Sequence, residues 1–151
     1  MEITWQIKHF SALTLNELYE AMALRQTVFI VEQQCPYLDA DGKDAAAWHV
    51  LGRDIGGRLV AYSRLLAPGI SYPAAASIGR VATHPAVRGT GSGRELMRHS
   101  IAAVSDLFPG APLSIGAQYY LLNFYRSFGF AQEGDIYDED GIPHIMMSYE
   151  R

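Results

Sequence analysis

The residues whose types and spacing best suit chemistry lie in Arg88-Gly-Thr-Gly-Ser-Gly-Arg94. Glycines at 89, 91 and 93 let the backbone approach a ligand without side-chain interference. An apolar strand pattern ends just before, at His84-Pro85, and helical spacing of Leu96, Ile101 and Val104 follows. The first amides of a helix have no intrahelical partner, and the helix dipole is positive there. Strand, glycine turn and helix start therefore form an anion site suited to a pyrophosphate. A Walker loop needs Gly-Lys-Ser/Thr, and this stretch has no lysine. A dinucleotide fingerprint reads G-x-G-x-x-G and opens the first strand–helix unit, whereas this stretch reads G-x-G-x-G and comes later. The other reading is a tight turn whose glycines serve geometry alone.

A second group of residues has chemical potential without a decisive spacing. Tyr125 carries a phenol that could protonate a departing thiolate, or it could simply pack in a core. Glu32 follows the first long helix and stands before a loop, as a base or as a helix-end carboxylate. His49 and His144 are alternative bases because an unperturbed imidazole titrates near neutrality. Arg80 could pair with a carboxylate or bind an acidic part of a substrate. Cys35 has no neighbouring base or positive charge to make it a nucleophile. Asp39-x-Asp41-Gly42-x-Asp44 places its glycine too early for a calcium loop, and the five histidines are scattered, so no metal is expected. That acidic group and a second one, Glu133 to Asp140, read either as solvated loops or as a field attracting a cationic substrate.

The elements that must position these residues follow from the pattern along the chain. Residues 3–9 alternate as a strand. Thr14 to Glu17 fits a capping box, opening a helix to about Phe29 with Leu15, Leu18, Met22, Arg25 and Phe29 along one stripe. Residues 33–47 read as a loop. Strands are expected over 49–53, 59–66 and 75–83, then a helix from Arg94 to Val104 and a strand over 113–117. A helix over 118–128 ends at Gly129, and two strands flank the turn Glu139-Asp140-Gly141. The order β-α-β-β-β-α-β-α-β-β describes an α/β mixed sheet with helices on its faces.

The chain has 151 residues, enough for one domain spanning 1–151 with its own core. No apolar run reaches the roughly 18–20 residues of a membrane span, and the first ten residues lack a signal-peptide pattern, so a cytoplasmic protein is expected. One cysteine allows no internal disulfide. The net charge of −4 lacks the basic excess of a sequence-independent nucleic-acid binder.

Arg88-x-x-Gly91-x-Gly93, with Val81-x-Thr83-x-Pro85 before it, resembles the coenzyme A loop of the GNAT acyltransferases. Tyr125-Arg-Ser-Phe-Gly129-Phe130 resembles a later motif of that family; Gln118 stands seven residues before the tyrosine, where the family usually has Asn. Leu24 to Tyr37, Ile78 to Val81, Gly116 to Gln118 and Glu139 to His144 are similar to its ElaA-like branch, so the likeness covers nearly the whole chain. The resemblance implies a mixed sheet whose central strands splay to admit pantetheine. It implies acetyl-CoA as donor and direct attack by a primary amine of a small molecule or peptide, without a metal. Val81, Ala82 and Thr83 would bind pantetheine and polarise the carbonyl. Arg88, Gly89, Thr90, Gly91, Ser92, Gly93 and Arg94 would hold the pyrophosphate, and Gln118 would contact the cofactor. Tyr125 would be the general acid, and Glu32 is the first candidate for the base. The alternatives are a non-catalytic CoA or acyl-CoA sensor and an acyltransferase acting on a protein amine. A homodimer is allowed.

Overall fold

The computed structural model describes residues 2–150. Seven strands form one mixed sheet: β1 (Thr4–His9), β2 (Trp48–Arg53), β3 (Leu59–Leu66), β4 (Ala76–Thr83), β5 (Leu113–Gln118), β6 (Phe130–Glu139) and β7 (Ile142–Tyr149). Their order across the sheet is β1-β2-β3-β4-β5-β7-β6. Three α-helices interrupt them: α1 (Leu15–Arg25), α2 (Ser92–Leu107) and α3 (Leu122–Arg126). The sequence of elements is the one expected. No helix among the described residues is long and apolar enough to cross a membrane.

Strand alternation distributes the helices. Val50 and Ala61 face a core with Leu96, Met97 and Val104 of α2 and Tyr125 of α3. Their neighbours Leu51 and Tyr62 face the other way, onto Ala21 and Leu24 of α1. The capping box forms as expected: the Glu17 amide donates to Thr14 Oγ1 at 3.1 Å and the Thr14 amide to Glu17 Oε1 at 2.8 Å. The buried stripe of α1 differs from the expected one. Leu15 is exposed, while Glu17, Ala21, Leu24 and Arg25 are buried. The reason is polar: Glu17 must meet Lys8 of β1, and Arg25 must face inward to two aspartates. A π-helical segment, Gln26–Glu32, prolongs α1.

The feature that shapes the centre of the sheet is in β4. Arg64 of β3 pairs with Gly79, but Tyr62 pairs with Ala82, so β4 carries one extra residue in the interval. Arg80 supplies it, with a left-handed φ of 51°. The bulge resets the alternation, turning Val81 toward the α2 core and Ala82 toward the α1 core. Beyond the short parallel pairing Ala76↔Leu113 and Ser77↔Ser114, β4 and β5 part.

The first acidic group is neither a solvated loop nor a field for substrate. It closes a ring of alternating charges with three arginines. Arg25 meets Asp39 at 2.8 Å and Asp44 at 2.7 Å. Arg64 meets Asp44 at 3.0 Å and Asp41 at 2.8 Å. Arg80 meets Asp41 at 3.4 Å and Asp39 at 2.7 Å, which completes the ring. His49, expected as an alternative base, supports it: Nε2 donates to the Asp44 carbonyl at 3.0 Å and Nδ1 accepts from Tyr62 Oη at 2.6 Å. Arg25 is 1% exposed and Arg64 3% exposed. The ring thus fixes residues 39–44 against α1, β3 and the bulge.

Burial pushes the Asp41 and Asp44 carboxyls up, but hydrogen bonds and charge from their arginines outweigh it and hold both below the usual carboxylate range. Their stabilisation is therefore complete above the ordinary carboxylate pKa near ~4 and is lost as pH falls below it. Arg25→Leu leaves Asp39 and Asp44 buried without that partner, and urea unfolding at neutral pH should show a loss of about 3–5 kcal/mol. Wild-type stability should fall steeply below about pH 4, and less steeply in the variant. A neutral-pH loss under about 1 kcal/mol would match an exposed ion pair and refute the buried ring.

Candidate active site

A cleft of about 870 Å³ runs through the parting of β4 and β5. Arg88, Gly93, Thr83, Val81, Phe124 and Tyr125 line one part of it. The other part is lined by Tyr37, Lys43, Tyr72, Tyr137, Glu139 and His144.

The glycine loop stands at the first part. Gly89 and Gly91 have φ of 79° and 85°, the left-handed conformation that glycine adopts without a Cβ penalty. Gly91 is the N-cap of α2 and offers no side chain, so the first amides of the helix lack a side-chain cap. The hydroxyls of Thr90 and Ser92 both turn back to the Val87 carbonyl, at 2.5 and 3.0 Å. What this loop can present to an anion is therefore its backbone. Arg94 is directed elsewhere: it donates to Ser127 Oγ at 3.1 Å and lies 4.7 Å over the Phe128 ring.

Arg88 and Glu32 form a bidentate ion pair across the cleft, and Arg88 also donates to the Thr83 carbonyl at 2.9 Å. Those hydrogen bonds hold the Glu32 carboxyl below its usual range, against a small effect of burial. A carboxylate tied in this way is a weak proton acceptor, contrary to the base role expected for it. On β4, Val81 and Thr83 line the cleft, while the Ala82 side chain is buried against α1 and leaves only its backbone for a ligand. Gln118 reaches Gln33, which follows the π-helical segment, at 3.3 Å.

Tyr125 is 6% exposed, with its ring between Phe124 and Phe130 at centroid distances of 5.2 and 6.1 Å. Burial pushes its phenol up, so it keeps its proton at neutral pH. The hydroxyl has no hydrogen-bond partner among the described residues, and Tyr125 belongs to the cleft wall.

The opposite wall comes from alternation on β5 and β7. Ile115, Ala117, Ile145 and Met147 face the α2 core. Gly116, Gln118, His144 and Met146 therefore face the other side. His144 Nδ1 donates to the Ile142 carbonyl at 2.7 Å, and Nε2 lies 3.2 Å from Glu139 Oε2. Imidazole and carboxylate thus stand within hydrogen-bond reach of each other on this wall. Tyr72 and Tyr137 also belong here, and sequence reasoning missed both; Tyr72 lies in a Pro/Gly-rich loop with no periodic signal. Gly116 is the trace they leave: a Cβ there would stand 2.9 Å from Tyr137 Oη and 3.5 Å from Tyr72 Oη. Cys35 is buried, and its thiol donates to the Asp140 carbonyl at 3.2 Å. Among the described residues no group of three His, Cys, Asp or Glu could hold a metal.

Known proteins share this architecture. The family described as Acetyltransferase (GNAT) domain matches residues 42–151. Protein ElaA of Escherichia coli is 43% identical over 150 residues, covering 98% of this chain and 97% of its own length. A UPF0039 protein of Synechocystis is 46% identical over 149 residues, covering 99% and 96% respectively. The crystal structure of an acyl-CoA N-acyltransferase from Pseudomonas aeruginosa superposes with a TM-score of 0.93 at 39% identity, over 99% of this chain and 100% of that one. That of E. coli ElaA gives 0.92 at 42% identity, over 99% and 100%. A sheet parted at its fourth and fifth strands, a glycine loop at the head of α2 and these whole-length likenesses place the chain in the GNAT acetyltransferase family, in its ElaA-like branch.

Proposed function

We propose that the protein is an N-acetyltransferase that moves the acetyl group of acetyl-CoA to a primary amine of a small molecule or peptide. The observation that carries this reading is Tyr125: a buried phenol with an unspent proton, on a cleft that crosses the sheet. Acetyl-CoA supplies the acetyl group as an activated thioester. The residues present fit it. The amides at the head of α2 and the backbone of Arg88 to Gly93 suit its pyrophosphate. Among the described residues β4 pairs with β5 only at Ala76 and Ser77, and the amides around Val81 are the ones that would polarise a carbonyl. Tyr125 donates its proton to the departing thiolate. The His144–Glu139 pair takes the proton that the amine gives up. Glu32 holds Arg88.

Calorimetry should detect acetyl-CoA binding, and thiol release should depend on an added amine. Binding without release on any amine would favour the non-catalytic sensor. Gly93→Glu tests the loop without backbone strain, because a Cβ at Gly93 meets only Phe124 Cζ at 3.9 Å. It should abolish acetyl-CoA binding and leave the melting temperature nearly unchanged; retained affinity would remove the loop from the site.

Tyr125→Phe deletes a hydroxyl without a hydrogen-bond partner among the described residues, so stability and acetyl-CoA affinity should persist. Turnover should fall about 10²–10⁴-fold. Turnover near wild type, with chemistry rate-limiting, would end the general-acid role. His144→Gln should lower turnover by a similar factor of about 10²–10⁴. That loss should shrink as pH rises and more of the amine is deprotonated in solution. A loss independent of pH would assign His144 to structure instead.

A further inference from the structure

The wall of the cleft opposite Tyr125 has a polarity of its own. Lys43 is part of it. Its ammonium donates to Ser71 Oγ at 2.9 Å and makes no ion pair among the described residues. The acids nearest to it in sequence, Asp41 and Asp44, are committed to Arg64, Arg80 and Arg25. With Asp39 the ring holds three positive and three negative charges, so it leaves the charge of Lys43 uncompensated.

Next to Ser71 is Tyr72, whose hydroxyl approaches Met146 Sδ at 3.6 Å. The Tyr137 hydroxyl approaches the same sulfur at 3.7 Å. A thioether is a weak acceptor, so both phenols retain donor capacity. Burial pushes both phenols up, which keeps them protonated as donors. They converge over Gly116, where the missing side chain leaves them room. Beyond Tyr137 the wall turns acidic. The His144 ring lies 5.8 Å from that of Tyr137, and Glu139 stands at its far nitrogen.

One wall of the cleft therefore carries a cation beside Ser71, two phenolic donors over Gly116 and, against the second phenol, a carboxylate–imidazole pair. We infer that the acceptor is a primary amine that also carries a carboxylate, an amino acid or a short derivative of one. This rests on the transferase reading above. The carboxylate is held by Lys43, Tyr72 and Tyr137, and the amine is presented beside His144 and Glu139. The amine nitrogen forms the new bond to the acetyl carbonyl carbon as the carbon–sulfur bond breaks. One amine proton passes to the His144–Glu139 pair, and the thiolate takes one from Tyr125. A diamine or an uncharged amide leaves Lys43 and both phenols without the anion they are placed to meet.

The experiment compares matched acceptors: L-phenylalanine, β-alanine and 4-aminobutyrate, each with its carboxamide, and 1,4-diaminobutane. Thiol release from acetyl-CoA is the readout. At least one acid should exceed its amide in kcat/KM by about 10- to 100-fold, the scale of one charge-assisted hydrogen-bonded contact. Lys43→Met should cut that acid-to-amide ratio by about tenfold or more, and Tyr72→Phe should cut it less. A higher kcat/KM for the amides or the diamine overturns the carboxylate assignment and leaves the transferase intact. So does an acid preference that Lys43→Met does not reduce. Turnover of no amine by a protein that still binds acetyl-CoA overturns both readings together.

Discussion

Arg80 adopts a left-handed backbone in the middle of a strand, and the site depends on that one conformation. A non-glycine residue held there costs on the order of 1–3 kcal/mol and persists only when its surroundings over-determine it. Asp39 provides that determination. Its carboxylate receives Arg80 from the sheet and Arg25 from α1, and its carbonyl accepts from both guanidinium groups as well. The bulge returns Val81 to the cleft and Ala82 to the core, and in this stretch β4 runs clear of β5. A regular β4 would reverse the facing of both residues.

The parting gives the two faces of the sheet different tasks. The α2 side is apolar, and Tyr125 sits in it among aromatic rings with a proton to spare. On the α1 side, next to the apolar packing of α1 on β2 and β3, the cleft is polar, bounded by residues that arrive from the loops after α1 and β3 and from the β6–β7 hairpin. Gln33 to Gln118 and Cys35 to Asp140 bind the segment after α1 to the far half of the sheet. The polar half of the cleft is thus bordered by backbone that the charge ring and these two contacts hold in place.

Much of this architecture was legible in the sequence because it rests on local physics. The Thr14–Glu17 capping box, the bounds of β3 and the glycine turn before α2 each follow from a few adjacent residues. The turn Asp140-Gly141 is equally local, with both residues at positive φ. What could not be read depends on partners far apart in the chain. The aspartates of residues 39–44 look like a solvated run until Arg64 and Arg80 are brought to them. Glu32 looks like a free helix-end base until the fold places Arg88 across from it. Nothing near Tyr72 in the sequence marks it as a neighbour of Tyr137, 65 positions later. Resemblance singled out the glycine loop and Tyr125, while the polar wall of the cleft had to be built from residues on β5, β6 and β7.

The Glu32–Arg88 pair has a bearing on which molecules can occupy the loop. A guanidinium with an internal carboxylate already satisfied is not an open anion trap. An anion arriving at Arg88 meets a charge that Glu32 already offsets, so it gains less there than at a bare guanidinium. An anion long enough to reach the amides at the head of α2 as well has a second source of attraction. The pair therefore weakens the pull on single small anions more than on a polyphosphate chain.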